Sequence, residues 1–192
     1  MKNANKKLVI VTIIALVLAV SCVVGTLAYL TAETDKITNT FTYGKVKISL
    51  TETDATYKII PDTVISKDPT VSVTAGSEAC YLFVLIEESA NLDTYITYTV
   101  DTAWTQMADT DYYYISVDAA TATAGKSYAV LTGNQVIVPD TVDSDDIALL
   151  DGSNDPTLSF TAYAVQAEGF ADAYEAWNAT FGVGAEITNP AP

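Results

Sequence analysis

The side chains from which catalytic and metal chemistry is usually built are scarce in this 192-residue chain. It contains no histidine and only two cysteines, Cys22 and Cys80. Without histidine there is no HExxH zinc centre, no Ser–His pair and no Cys–His pair. No glycine-rich phosphate loop follows an apolar run. The remaining candidates are carboxylates, densest in "DTVDSDDIALLDGSNDPT", residues 140–157. Asp143, Asp145, Asp151 and Asp155 are the residues that could supply oxygen ligands to calcium there. Their spacing departs from an EF-hand loop: Gly152 is misplaced and no Glu stands twelve positions in. The stretch therefore reads as a solvated acidic loop, with calcium binding as the alternative. Other carboxylates form surface-type clusters, and nothing in the sequence sets two of them at the ~5–10 Å separation a glycosidase uses. The expectation is a non-enzyme without a cofactor.

Cys80 lies in "EACYLFVLIEES", an apolar strand with no basic neighbour. A reactive thiol needs an electropositive setting, so the reading is a buried, inert cysteine. Asn178-Ala179-Thr180 matches a glycosylation sequon but falls inside an expected helix. Aromatic chemistry concentrates in "GFADAYEAWNATFG". There Phe170, Tyr174, Trp177 and Phe181 recur at helical spacing, and Gly182 supplies a stop. This predicts an amphipathic helix of about three turns. Its aromatic stripe either packs on the rest of the protein, the favoured reading, or forms a ligand-binding shelf.

These side chains must be positioned by strands. Thr, Val, Ile and Tyr dominate after residue 28, a β composition. "FTYGKVKISLTE" alternates, with Val46, Ile48 and Leu50 on one face. "YKII" and "TVSV" are short strand candidates, and "TYITYTV", "YYYISV", "SYAVL" and "QVIVP" follow. "CYLFVLIEE" is apolar on both faces, as a central strand is. "LSFTAYAVQA" places Leu158, Phe160, Ala162 and Ala164 on one face. Turn signals around Gly76, Gly125, Gly133 and Gly152 separate the pieces. The predicted fold is all-β, an antiparallel β-sandwich with one short amphipathic helix near the C-terminus. The tail from 183 to 192 reads as loose.

Lys2, Lys6 and Lys7 precede an apolar run from Leu8 to Val24. Basic start, apolar middle and small-residue exit read as a helical secretory signal peptide over residues 1–28. The expected cut lies between Ala28 and Tyr29. A retained anchor is the alternative, and a lipoprotein at Cys22 ranks last. Residues 29–192 then form the domain, led by a possible assembly arm at 29–40. After cleavage six lysines face 24 carboxylates, a net charge of −18. Such a chain repels nucleic acid and anionic lipid, and touches a membrane only through an uncleaved signal.

"GTLAYLTAETDKITNTFTYGKVKISLTE", residues 25–52, resembles the N-terminus of the TasA/camelysin family of secreted Gram-positive proteins. The shared pattern reads Gly25, Thr26, Ala28 and Tyr29, then Asn39, Phe41, Thr42 and Gly44, then the alternating strand. "PTVSVTAGSEACYLFVLIEE" and "AYAVQAEGF…AWNATFG" are also similar to family members. The resemblance implies cleavage by a SipW-type signal peptidase and a jelly-roll-like sandwich. It implies an extracellular biofilm-matrix subunit that self-associates into fibres, the N-terminal strand of one copy completing the sheet of the next. Asn39, Phe41, Thr42, Gly44, Val46, Ile48 and Leu50 would form that assembly strand. Camelysin relatives carry a metalloprotease label, which a chain without histidine or a zinc motif does not inherit. Independently of the resemblance, a Thr-rich arm freed by cleavage can add to an exposed sheet edge by main-chain hydrogen bonds. The competing reading is a monomeric surface module that binds a cation or a carbohydrate.

Overall fold

The computed structural model describes residues 45–54, 56–182 and 187–189. In chain order the strands are β1 (Ile48–Thr51), β2 (Thr63–Ser66), β3 (Thr70–Val73), β4 (Cys80–Glu88), β5 (Thr105–Gln106), β6 (Tyr112–Val117), β7 (Lys126–Ala129), β8 (Gln135–Val138) and β9 (Leu158–Gln166). The helices are α1 (Leu92–Tyr95), α2 (Ala119–Ala124), α3 (Ser144–Ala148) and α4 (Ala173–Phe181). All strand pairings are antiparallel. They form a four-stranded sheet, β5-β6-β4-β9, a three-stranded sheet, β1-β3-β7, and a two-stranded sheet, β2-β8.

The apolar run of β4 has a direct structural reason, because both faces of its sheet are covered. Cys80, Leu82, Val84 and Ile86 point to one side, with Ile115 and Val117 of β6. They meet Val71 and Val73 of β3 and Tyr128 of β7, so the two larger sheets share one core. Leu158, Phe160, Ala162 and Ala164 pack on that side together, as their alternation predicts. On the other side Phe83 meets Val165, Tyr174 and Trp177, under α4. A strand covered on both faces must be apolar on both, whereas a solvated face would alternate.

Several expectations fail on local detail. "YKII" is not a strand; residues 57–60 are irregular. "TYITYTV" contributes the end of α1 and two isolated bridges, Thr97↔Ile137 and Val100↔Leu131. Leu92 and Tyr95 are buried three residues apart, on one face of a helical turn. The single predicted helix becomes four short ones among the described residues. The three unpredicted ones are too short to show a periodic pattern and are held by caps and packing. Asp118 caps α2 by accepting from Thr121 N. Gly125 ends it at φ +80°, and a Cβ there would lie 2.9 Å from Ala75 N. α4 is nine residues long, and Phe170 lies before it rather than in it.

The tail is not loose where it is described. Ile187 is buried with the α4 cluster. The Asn178 side-chain amide accepts from Ile187 N and donates to Ile187 O, each at 2.9 Å. The sequon asparagine thus clamps a later segment. Among the described residues no helix is long and apolar enough to cross a membrane. The signal segment, 1–28, and the arm, 29–40, lie outside the described residues.

Candidate functional site

The expected sites fall in three places. Ala28, Tyr29, Asn39, Phe41, Thr42 and Gly44 lie outside the described residues. Val46 and Ile48 are half-buried against the main core, while Leu50 is 37% exposed. Ile48 and Leu50 belong to β1, which pairs with β3 of the same chain in the register Ile48↔Val73 to Thr51↔Thr70. The described end of the expected assembly strand is therefore an edge strand of its own sheet.

The aromatic stripe packs inward. Trp177 is 5% exposed, with ring centroids 5.0 Å from Phe83, 4.4 Å from Tyr112 and 5.5 Å from Tyr163. Tyr174 is buried, and its hydroxyl accepts from Ala108 N at 3.0 Å. Phe170 is partly buried, and Phe181, at the helix end, is the exposed member. A ring closed on three sides by other rings offers no face to a sugar.

Three of the four candidate calcium ligands, Asp143, Asp151 and Asp155, accept from backbone N–H groups, and the four do not converge. Asp143 accepts from Asp145 N and Asp146 N, and Asp146 accepts in return from Asp143 N, a capping box on α3. Asp145 lies in the first turn, where a carboxylate complements the helix dipole. Asp151 accepts from Ser153 N and Oγ, and the hydroxyl contact is the larger of the effects that hold its carboxyl below its usual range. Asp155 accepts from Gly152 N. Among the described residues no group of three or more His, Cys, Asp or Glu is placed to hold a metal. Cys80 is buried, and burial pushes its thiol up to about 11.

What the sequence reading missed is a cleft. It has a volume of about 720 Å³, within the usual range for binding cavities. Its walls come from the irregular segment 56–60, from β2 and β8, from the residues after α3, and from the start of β9. Ile59, Ile65, Ile96, Ile147 and Leu150 give it an apolar floor. The same residues pack on Tyr95, Val138 and Val142 beneath. Tyr95 donates its hydroxyl to Asp146 O at 3.0 Å, which fixes the acidic loop as one wall. Ile60, 53% exposed, stands at the rim.

One buried cation serves this wall. Lys67, 7% exposed, donates to Glu52 Oε1 at 2.6 Å. Its ammonium lies 5.0 Å from the Tyr57 ring centroid and 5.3 Å from that of Phe160. Tyr57 donates to the same Glu52 oxygen at 2.8 Å and also to Asp54 O. Burial first, and the Glu52 contact second, raise the Tyr57 hydroxyl above its usual range. Nearby, Asp68 accepts from Thr53 Oγ1 and N, contacts that hold its carboxyl below the usual range. The segment leaving β1 is thereby strapped to the end of β2. Lys67 continues the inward phase of Thr63 and Ile65, but "TVIS" does not alternate in polarity, so the phase was not legible.

The cleft opens beside an unusual edge. β9 pairs with β4 along all nine of its residues, from Cys80↔Gln166 to Glu88↔Leu158. Among the described residues no strand pairs with its other side. β1 comes close to β9 without forming a ladder with it. The β9 sequence, LSFTAYAVQ, carries no charge and no proline. Edges that meet solvent are usually blunted by such residues. Leu158 and Ser159, at the start of β9, also line the cleft. No protein-family model matches the chain, and no curated protein or solved structure is significantly similar to it.

Proposed function

We propose that this chain is a secreted structural subunit of extracellular fibres, with a jelly-roll-like sandwich, and that it polymerises by donating its N-terminal strand to the next copy. The observation that carries the reading is the nine-residue edge of β9, uncharged, free of proline and unpaired among the described residues. An edge of that kind is an association surface unless something covers it. An extended segment of a second copy covers it with main-chain hydrogen bonds, which do not depend on charge. That matters for a subunit that carries −18 once residues 1–28 are removed, whose copies repel one another electrostatically. The resemblance of residues 25–52 to the TasA/camelysin family supports the same reading, as does the signal-like N-terminus. Electron microscopy of protein recovered from the medium of producing cells tests it. Filaments are expected. A persistent monomer that binds calcium or a glycan with a saturable isotherm would replace the reading with the surface-module one.

A further inference from the structure

We propose that the cleft binds a small amphiphile, a monocarboxylate with a saturated tail of medium length, whose head meets Lys67 and whose tail lies on the branched aliphatic floor. This site goes beyond the fibre-subunit reading and does not depend on it. Three observations carry it.

The first is the buried cation. Lys67 is 7% exposed and lines the cleft. An ammonium has three N–H groups to donate. Among the described residues its one hydrogen-bond acceptor is Glu52 Oε1, at 2.6 Å. The Tyr57 and Phe160 rings flank it, with centroids at 5.0 and 5.3 Å. Their faces favour the charge without supplying an acceptor oxygen. The ammonium therefore keeps donors to spare in the wall of a cavity. A carboxylate brings two oxygens that accept charge-assisted hydrogen bonds.

The second is charge. After residue 28 the chain has six lysines and 24 carboxylates. The lining takes two of those lysines, Lys58 and Lys67, and one of the carboxylates, Asp155. With Glu52 counted beside Lys67, two cations face two anions there. Four lysines are then left against 22 carboxylates over the rest of that chain. Among the described residues Lys58 makes no ion pair. An anion is thus repelled less in the cleft than elsewhere on the surface. A calcium ion, which takes six to eight oxygens, finds a single carboxylate in the lining.

The third is the floor. Ile59, Ile65, Ile96, Ile147 and Leu150 are branched aliphatic side chains. The one aromatic ring in the lining is Tyr57, tied beside Lys67 through their shared contact with Glu52. A flat ligand gains from rings to stack on, which this floor lacks. A flexible tail needs only apolar area removed from water. An acyl lipid carries the same head-and-tail chemistry, but a chain of −18 is repelled by an anionic bilayer. The free acid is the occupant that fits both the cleft and the charge.

Titration calorimetry of decanoate, kept below its micelle concentration, into the chain recovered from the medium tests this, with amide NMR shifts to locate the site. The expected result is one saturable site with shifts at residues 56–60, 147–150 and 155–159. Octanoate should bind roughly tenfold more weakly, from the two methylenes lost. Decanol should bind at least tenfold more weakly, because it offers Lys67 no charge. Lys67→Met should abolish the preference for decanoate over decanol. Ile60→Asp, at the exposed rim, should weaken decanoate at least fivefold with an unchanged circular dichroism spectrum, and it decides the matter if Lys67→Met does not fold. Absence of saturable binding, shifts centred elsewhere, equal affinity for decanoate and decanol, or the parent affinity in Ile60→Asp would each overturn the assignment. Binding confined to phosphatidylglycerol vesicles would overturn it too, in favour of a bilayer. Filaments from a chain that binds no decanoate overturn this site and leave the fibre reading standing.

Discussion

Trp177 decides between the two readings of the aromatic helix. Replacing it by Ala removes a ring that is 5% exposed and that lies within 5.5 Å, centroid to centroid, of Phe83, Tyr112 and Tyr163. Truncating a buried aromatic to Ala typically costs about 3–5 kcal/mol through lost burial and the cavity left behind. The ring pairs lost with it lie inside that figure rather than adding fully, because contacting groups are not additive. A domain of this size loses roughly 2–4 °C in Tm per kcal/mol, so the melting point falls by roughly 6–20 °C. Phe181 provides the internal contrast. It touches the Trp177 and Tyr163 rings but is 37% exposed. Phe181→Ala should cost about 1–2 kcal/mol, since only part of its area leaves water. Urea unfolding followed by far-UV circular dichroism measures both. A Trp177→Ala loss below about 1 kcal/mol would refute the packing argument, because a ring that closes a core cannot be removed so cheaply.

Gly125→Ala should destabilise by about 1–3 kcal/mol, since the residue sits at φ +80° and the new Cβ would meet Ala75 N at 2.9 Å; urea titration that shows no loss contradicts this. Asp118 is held below its usual range chiefly by Thr121 N, so its contribution is present above the unfolded carboxylate range and is lost as pH falls through the folded value. Asp118→Asn should therefore flatten the acid limb of the stability–pH curve and leave its alkaline limb unchanged, as thermal melts from pH 2 to 8 will show. Assembly should speed up with salt, because a subunit that carries −18 once residues 1–28 are removed must overcome self-repulsion and the Debye length falls from ~30 Å at 0.01 M to ~8 Å at 0.15 M; equal rates of light-scattering increase at both would remove charge as the governor.

The parts of the fold legible in the sequence are those with a long pattern and a burial reason. β4 could be read because an unbroken apolar run reports cover on both faces, and β9 because Leu158, Phe160, Ala162 and Ala164 keep one phase. α4 could be read because Tyr174 and Trp177 recur at helical spacing over a core. α1 could not, since Leu92 and Tyr95 are buried on one turn within a stretch whose alternation imitates a strand. The acidic stretch read correctly as polar, but not as a wall. Its fixed shape comes from Ile147 and Leu150 packing beneath and from the Tyr95 hydroxyl fifty-one residues away. The cleft shares that difficulty. Its lining is drawn from segments that meet only in three dimensions, and its one buried charge, Lys67, is explained by Glu52 and Tyr57 rather than by its sequence neighbours.

The central claim is that assembly runs through the N-terminal arm, and deletion of residues 29–40 tests it most directly. The deletion chain keeps the segment before it and the domain after it, is recovered from the medium, and is compared with the parent by circular dichroism and electron microscopy at equal concentration and salt. The account predicts a β spectrum and melting point like the parent's, a monomer by sedimentation, and no filaments. Filaments of normal form and yield from the truncated chain would contradict it, and so would an unfolded chain, which would place the arm in its own core.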